Sequence, residues 1–301
     1  MNDAQGRLDA GEVVILDGAM GTELEKRGAP MDAVAWDAAA LVTHPDLVRA
    51  VHEDYIEAGA DVITTNTFAT ARHVLEPAGM GGQFRALNAR AVALAKEARD
   101  NVADGPVSIA GSISTMSARN DRSHEPRAEE ARGNYREQAE ILAESGADVI
   151  ALEMMRDLEQ TGHAAEAAVA TGLPVWVGFS CKTADGGTVV LWDGKHTLAE
   201  ALEQIPPIGV SLVSVMHTLT EDTPAALREV AGRWSGPVGA YPHSGEFVMP
   251  NWRFIDVISP EDFARHAQGW AGMGARLIGG CCGIGPEHIR LLKERLPKRP
   301  S

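Results

Sequence analysis

The sequence predicts an α/β fold, a single (β/α)8 TIM-type barrel, on three observations. Eight short apolar runs rich in β-branched residues recur along the 301 residues, and each has the length of a buried strand. Longer segments with helical spacing and helix-start residues separate these runs. At 58–62, 145–149 and 273–277 the chain repeats a glycine-containing phrase between helix and strand, as repeated βα units do. An open doubly wound sheet is the alternative fold.

The predicted elements alternate in order along the chain. The strands are predicted at 13–16, 62–65, 107–110, 149–152, 175–179, 212–216, 238–241 and 276–278. The helices are predicted at 45–58, 84–99, 128–145, 158–171, 224–234, 260–273 and from 286 onward, with a weaker helix at 197–204. No proline- or serine-rich linker divides the chain, so we predict one domain over residues 1–301.

Composition excludes several classes of function. A formal net charge of -15 argues against a nucleic-acid partner or an anionic membrane surface, because both require a basic patch. Residues 1–12 are polar and lack the apolar stretch of a signal peptide, and no apolar run is long enough to span a membrane. The three cysteines have no disulfide-framework spacing, which fits a reducing compartment. We therefore expect a cytoplasmic protein with small-molecule substrates.

In a barrel of this type, catalytic residues follow the carboxyl ends of the strands. Polar residues at the predicted strand ends, in chain order, are Asp17 and Gly18, Thr65, Ser112, Thr115, Glu153, Cys181, His217 and Thr218, His243, and finally Cys281 with Cys282. We expect Ser112, Thr115 and Thr218 to do no more than end their strands. The thiols, imidazoles and carboxylates together predict a metal site on this rim.

The adjacent thiols Cys281 and Cys282 are the basis of the metal prediction. Zinc is bound by thiolate and imidazole, and a catalytic zinc site has three protein ligands and one open position. Neighbouring cysteines reach one ion only where the backbone turns sharply, which the glycines around the pair allow. His217 and His243 end the two nearest strands and are candidates for the third ligand. Cys181 lies further round the ring and is expected to be a packing residue.

Three longer motifs lie at the ends of the first, second and last predicted strands. They read LDGAMGTEL at 16–24, GADVITTNTF at 59–68 and GGCCG at 279–283, with shorter matches at 152–153, 192–194 and 241–246. Together they resemble the zinc-dependent homocysteine S-methyltransferases, in the right order over about 13–289. The resemblance implies a (β/α)8 barrel that binds Zn²⁺. It also implies methyl transfer from a sulfonium, ammonium or corrinoid donor, such as S-methylmethionine or S-adenosylmethionine, to the thiol of homocysteine, giving methionine.

The resemblance also implies roles for residues near the first, second and fourth strands. Asp17 and Glu153 match the acidic groups that hold the amino group of homocysteine. Gly18 and Thr65 belong to the same substrate pocket. A thiol bound to zinc loses its proton at neutral pH, so the resemblance requires no catalytic residue beyond the metal site.

Two histidines depart from the family pattern. His217 stands where the family places its third zinc thiolate, so the expected ligands are His217, Cys281 and Cys282. A neutral ligand in place of an anionic one raises the net charge of the centre by one unit, which acidifies a bound thiol and makes its thiolate less nucleophilic. His243 stands where the family usually has asparagine. It can bind substrate, adjust the metal through a ligand, or replace His217 as the ligand.

Several alternatives remain open at this point. The same fold can methylate a different thiol acceptor, can act as a zinc hydrolase with Glu153 or His243 as base, or can bind metal without catalysis. The donor is open as well, because the loop at 116–129 lacks the aromatic-rich sequence typical of the family. The candidates for contact with a cationic methyl group are Met20, Trp36, Trp192 and Trp252, although we expect core packing as the role of any single one more than donor contact.

Overall fold

A computed structural model of the chain describes residues 3–118, 121–205, 208–248 and 253–297. The strands are β1 (Val14–Ile15), β2 (Val62–Thr64), β3 (Ser108–Ser114), β4 (Val149–Met155), β5 (Val175–Thr183), β6 (Val189–Leu191), β7 (Leu212–Leu219), β8 (Val238–His243), β9 (Glu246–Val248), β10 (Arg253–Ile255) and β11 (Ala275–Ile278). The helices are α1 (Ala4–Asp9), α2 (Met20–Lys26), α3 (Ala40–Thr43), α4 (Pro45–Ala58), α5 (Arg72–Leu75), α6 (Phe84–Val102), α7 (Ala128–Ser145), α8 (Leu158–Val169), α9 (Leu198–Gln204), α10 (Thr223–Arg233), α11 (Pro260–Gly272) and α12 (Pro286–Arg295).

Parallel strands in the order β1-β11-β8-β7-β5-β4-β3-β2 form the main sheet. The sheet closes where β1 meets β2: Leu16 forms a parallel bridge with Val62, whose carbonyl accepts a hydrogen bond of 3.0 Å from the Asp17 amide. The Asp61 amide donates to the Ile15 carbonyl at 2.7 Å on the same seam. This closure confirms the (β/α)8 barrel and excludes the open sheet.

Helix boundaries follow the start and stop residues of the sequence. The Asp157, Thr197 and Ser259 side chains accept hydrogen bonds from amides in the first turns of α8, α9 and α11, as N-cap residues do. The predicted glycine stop of α4, Gly59, has a left-handed φ of 103°, and Gly146 after α7 has 97°. Only glycine adopts this conformation readily, so each helix ends there and the chain turns into the next strand.

The central strands are longer than predicted. β3, β4 and β5 extend to residues 114, 155 and 183, where the sequence had suggested ends at 110, 152 and 179. The strands stay paired over the polar residues at their ends, where Ser114 of β3 is aligned with Glu153 of β4. β5 then turns back into β6, an antiparallel addition that the sequence had not predicted. These extensions carry polar side chains into the carboxyl end of the barrel, called here the mouth.

The amino ends of the strands form the opposite end of the barrel, called here the base. Asp61 lies at the start of β2 and forms ion pairs of 3.2 Å with Arg7 of α1 and 2.9 Å with Lys293 of α12. Its carboxylate also accepts the Ile15 amide at 2.9 Å. The base is therefore fastened by charges that the protein itself supplies. Among the residues described, no helix combines the length and the apolar character that crossing a membrane requires.

Candidate metal centre

The turn after β11 presents both thiols to the mouth. The Cys281 amide donates to the Pro242 carbonyl at 2.9 Å, and the Ser244 amide donates to the Cys282 carbonyl at 3.1 Å. Gly283 completes the turn with a φ of 84°, and a Cβ there would lie 2.4 Å from the Ser244 carbonyl oxygen. The turn is thus held on the end of β8, and only glycine fits at its last position.

The end of β1 packs directly on the same turn. A Cβ on Gly18 would lie 2.2 Å from the Ile284 carbonyl oxygen, so this close approach needs glycine. The Ala19 amide donates to that carbonyl at 2.9 Å, and the Tyr55 hydroxyl lies 3.0 Å from it. The opening motif at 16–24 therefore packs against the turn that contains the closing motif at 279–283.

His217, near the end of β7, completes a cluster with the two cysteines. Its ligand atom and the two sulfurs all lie within 4.8 Å of one another. The Cys281 sulfur is 3.7 Å from His217 Nδ1 and 3.8 Å from the Cys282 sulfur. A tetrahedral zinc ion with usual bond lengths has edges of about 3.8 Å between sulfurs and about 3.6 Å between sulfur and nitrogen. The two measured edges fit such an ion.

The backbone of His217 is strained into this position. Its φ is +43°, which residues other than glycine rarely adopt, and the Ser180 hydroxyl donates to its carbonyl at 2.9 Å. Trp36 (+47°) and Met154 (+52°) also have a positive φ and line the same cavity, and among the residues described the fourth non-glycine residue with a positive φ is Asp256. Backbone strain of this kind persists only where surrounding contacts hold the residue in place, and it is found mainly at functional sites.

His243 lies beside the cluster without being part of it. Its ring centre is 4.7 Å from that of His217, and burial, with a further contribution from the charge of His217, lowers the pKa of His243 to about 3. A neutral imidazole at this place can face a substrate or adjust the His217 ring. Cys181 is buried, burial raises the pKa of its thiol, and the cluster does not include it.

Two buried carboxylates line the same cavity as these ligands. Asp17 accepts the Thr64 amide at 2.7 Å and the Thr64 hydroxyl at 2.9 Å, and burial raises its pKa well above the usual value. Glu153 accepts a hydrogen bond from the Ser112 hydroxyl, and burial raises its pKa to about 7. The expectation that Ser112 only ends its strand is therefore wrong, because the hydroxyl orients Glu153.

Thr65 lines the cavity, but its hydroxyl is used within the barrel. It bonds the Thr67 hydroxyl at 2.7 Å and accepts the Ser112 amide at 3.1 Å, which ties β2 to β3. All the predicted site residues face one cavity at the mouth, namely Asp17, Gly18, Thr65, Glu153, His217, His243, Cys281 and Cys282.

Sequence reasoning missed two charged residues of this cavity. Asp37 is only 2% exposed and lies in a segment without a predicted element. Arg156 follows β4 and contacts the Thr115 carbonyl at 2.8 Å and Glu125 at 2.9 Å. Arg156 lies only three residues beyond Glu153, so extending the list of strand-end residues would have found it. No comparable signal in the sequence pointed to Asp37.

Much of the remaining wall is apolar and rich in methionine. The cavity has a volume of about 350 Å³, within the usual range for small-molecule sites. Met20, Trp36 and Trp192, three of the candidates for donor contact, line it, whereas Trp252 lies outside the described residues. Further apolar lining comes from Phe68, Met116, Met154 and Met216.

Known proteins with similar sequences match nearly the whole chain. The family model for homocysteine S-methyltransferase matches residues 14–296. A selenocysteine Se-methyltransferase from Brassica oleracea var. italica is 31% identical over 97% of this chain and 91% of its own length. The homocysteine S-methyltransferase of Escherichia coli (strain K12) is 31% identical over 98% of both chains.

A solved structure agrees with these sequence matches. The metallated form of the homocysteine methyltransferase MmuM from Escherichia coli has a TM-score of 0.79 and 28% identity to this chain, covering 97% of this chain and 99% of that one. An oxidized form of the same protein gives a TM-score of 0.78 at 30% identity, covering 94% of this chain and 96% of that one.

Proposed function

Because the chain belongs to the homocysteine S-methyltransferase family, we propose that its mouth cavity binds Zn²⁺ and transfers a methyl group to the thiol of homocysteine, giving methionine. One observation carries the proposal. Two thiols and an imidazole whose ligand atoms lie within 4.8 Å of one another share a cavity with two buried carboxylates. This combination suits an acceptor such as homocysteine, whose thiol can bind the metal while its ammonium group faces the carboxylates.

Cys281, Cys282 and His217 are the proposed zinc ligands. Three protein ligands leave one position of a tetrahedral ion for the acceptor sulfur. Zinc bound there would lower the pKa of that thiol, so that the acceptor is presented as a thiolate at neutral pH. No other residue is then needed as a general base, and the His243 imidazole is left to position the acceptor or the His217 ring.

Asp17 and Glu153 are proposed to bind the ammonium group of the acceptor. Both carboxylates are buried, and the pKa of each is raised by burial, so a cation that enters the cavity favours their ionised forms. The hydroxyls of Thr64 and Ser112 fix their orientation. Holding the acceptor at both its ammonium group and its sulfur reduces the entropy that methyl transfer would otherwise lose.

Methyl transfer in this cavity balances without an oxidant or a proton donor. The acceptor sulfur forms a bond to the methyl carbon while the bond from that carbon to the donor heteroatom breaks. The electron pair of the broken bond stays on the donor, so a sulfonium donor leaves as a neutral thioether. The methionine and tryptophan side chains of the wall keep water away from both sulfurs.

A selenol acceptor is the second candidate. His217 gives the centre one negative charge fewer than three thiolates would, which weakens the nucleophilicity of a bound sulfur. A selenol ionises more readily and stays the better nucleophile, and one similar protein is named selenocysteine Se-methyltransferase. Selenocysteine therefore belongs beside homocysteine among the acceptors to be tested.

The test combines metal analysis with an assay of methyl transfer. We expect about one zinc per purified chain and methionine from homocysteine with S-methylmethionine or S-adenosylmethionine. Cys281→Ala should lose both zinc and turnover. The matched control Cys181→Ala removes a buried thiol outside the cluster and should keep both. A folded, zinc-free protein, or a zinc protein that methylates neither acceptor, contradicts the proposal.

We also propose a cytoplasmic setting. The three cysteines are free, and two of them are the proposed ligands, so a reducing environment keeps the centre able to bind metal. The acidic balance of the chain supports small-molecule partners over nucleic acid or membrane.

A further inference from the structure

Asp37 is a buried carboxylate that lines the cavity and has no role in the proposed binding of the acceptor. Its side chain lines the mouth cavity, the residue is 2% exposed, and its Oδ1 atom has no hydrogen-bond partner among the described residues. Burial, opposed by its own backbone amide and reinforced by the charge of Glu153, raises the pKa of Asp37 to about 7. An ionised carboxylate in this position is costly unless a cation accompanies it.

The chain around Asp37 is built to hold it in place. Asp32 and Trp36 exchange backbone hydrogen bonds of 2.8 and 3.0 Å, and the Asp32 carboxylate accepts two amides of the same turn. Trp36 takes its strained φ of +47° directly before Asp37. The Asn66 side chain donates to the Asp37 carbonyl at 3.4 Å. The turn therefore holds the carboxylate at the cavity although its burial is unfavourable.

The wall beside Asp37 is aromatic and closely packed. The Trp36 ring lies so near Gly21 that a Cβ there would be 2.4 Å from it. Phe68 meets the same ring edge to face, with the ring centres 5.9 Å apart. Aromatic faces next to a carboxylate form a surface that favours a weakly hydrated cation over a neutral group of the same shape.

Charge counting separates Asp37 from the acceptor subsite. Homocysteine carries one ammonium group, and Asp17 and Glu153 already provide two carboxylates for it. Arg156 also lines the cavity, and its guanidinium contacts the Thr115 carbonyl and Glu125. A further carboxylate in this cavity therefore calls for a second cation, brought by a second substrate.

We propose that Asp37 recognises the positive charge of the methyl donor, a sulfonium group. This inference rests on the proposed methyl transfer and names its donor class. The charge disappears when the methyl group leaves, because the donor then becomes a neutral thioether. Asp37 thus attracts the donor and no longer attracts the demethylated product, which favours product release.

Binding without turnover tests this inference directly. The zinc-loaded full chain is titrated calorimetrically, without acceptor, with S-methylmethionine and with methionine, which differ by one methyl group and one charge. S-adenosylmethionine and S-adenosylhomocysteine form a second pair. We expect the wild type to prefer the sulfonium of at least one pair by about tenfold or more, and Asp37→Asn to reduce that preference to about twofold or less.

Two controls keep the result interpretable. Asp100→Asn removes the same charge from an exposed position at the end of α6 and should leave the preference unchanged. Asp37→Ser serves as a second variant if Asp37→Asn fails to fold, as judged by circular dichroism. A wild type without preference in either pair, or a preference that survives in the folded Asp37 variant, overturns the inference.

The outcome is independent of whether the acceptor has been identified correctly. A charge preference that depends on Asp37, found in a protein that methylates no acceptor, would contradict the proposed function and leave the donor assignment standing. Methyl transfer to an acceptor, together with a charge preference that Asp37→Asn leaves unchanged, would support the proposed function and contradict the donor assignment.

Discussion

Asp37 at the mouth and Asp61 at the base are both largely buried aspartates, yet their pKa values move in opposite directions. Burial is the largest influence on each. At Asp61 hydrogen bonds from Arg7, the Ile15 amide and Lys293 outweigh burial and lower the pKa below the usual value. At Asp37 no described cation forms an ion pair, and burial raises the pKa to about 7.

The opposite pKa shifts indicate that the two ends of the barrel have different roles. The base neutralises its carboxylate internally, so that charge contributes to stability at neutral pH. Among the described residues, no ion pair neutralises Asp17, Asp37 or Glu153 at the mouth, and the pKa of each is raised by burial. Such carboxylates cost stability in the free protein and become useful when a cationic ligand arrives.

The largest expected effect comes from removing a zinc ligand at the mouth. Cys282→Ala should lose its zinc and at least about a hundredfold in turnover, because two protein ligands hold the ion poorly. The far-UV circular dichroism spectrum should stay that of the wild type, since the barrel core is untouched. Metal content and initial rates measure this, with Cys181→Ala as the control. Full zinc content and turnover in Cys282→Ala would contradict the assignment of zinc binding and catalysis to the mouth.

At the base the effect should fall on stability. Asp61→Ala leaves Arg7 and Lys293 without their shared partner and should lower the free energy of unfolding by about 3 kcal/mol at pH 7. Because the folded pKa of Asp61 is lowered, its contribution is present above the unfolded pKa of about 4 and is lost as the pH falls through the folded value. Urea unfolding at several pH values measures the difference.

The same experiment has a functional control. Turnover per folded chain of Asp61→Ala should match the wild type, because the residue lies at the opposite end of the strands from the cavity. A variant as stable as the wild type, or one that is folded and inactive, would mean that the two ends do not divide stability and function in this way.

Asp37→Asn should change stability in the opposite direction. The folded pKa of about 7 lies above the usual aspartate value of 3.8, so the folded wild type binds the extra proton between these values and loses stability as the pH rises through them. At pH 8 the variant should be more stable by about 2 kcal/mol, and the gain should vanish near pH 4. Thermal unfolding across this range measures it. A variant less stable than the wild type at pH 8 would show that the wild-type carboxylate has a cation partner.

The smallest effect is expected at a supporting hydroxyl. Thr64→Val removes the donor to Asp17 Oδ1 without changing the side-chain shape and should raise the KM for homocysteine about fivefold, equivalent to about 1 kcal/mol. The KM for the donor should stay within about twofold. Thr43→Val, on the exposed end of α3, is the matched control. Equal changes in both KM values would assign Thr64 to general packing.

The sequence predicted most of the fold and of the site for a definite reason. Strand-length apolar runs and glycine helix stops are local signals, and the barrel then brings every strand end to one mouth, including Asp17, His217 and Cys281. Register is not local. The contacts of Thr64 with Asp17 and of Ser112 with Glu153 depend on how neighbouring strands align, so the sequence did not reveal them.

Asp37 escaped prediction because it belongs to no βα repeat. It begins a short 3-10 helix (Asp37–Ala39) between α2 and α3 whose position depends on the strained Trp36 backbone and on packing against Gly21. The sequence did not predict β6 for a similar reason, since it is an addition to one strand, and the loop after it brings Trp192 into an edge contact with the His217 ring, with the ring centres 5.9 Å apart. The parts that we propose to recognise the donor are thus the least regular ones.

X-ray absorption at the zinc edge tests the central claim most directly. In the zinc-loaded chain we expect about two sulfur ligands together with nitrogen and oxygen, and about three sulfur ligands after homocysteine is added. Cys282→Ala should not form this centre, and Cys181→Ala should behave as the wild type. Zinc coordinated without sulfur, or a sulfur count that homocysteine leaves unchanged, would contradict a methyl transfer site built on Cys281, Cys282 and His217.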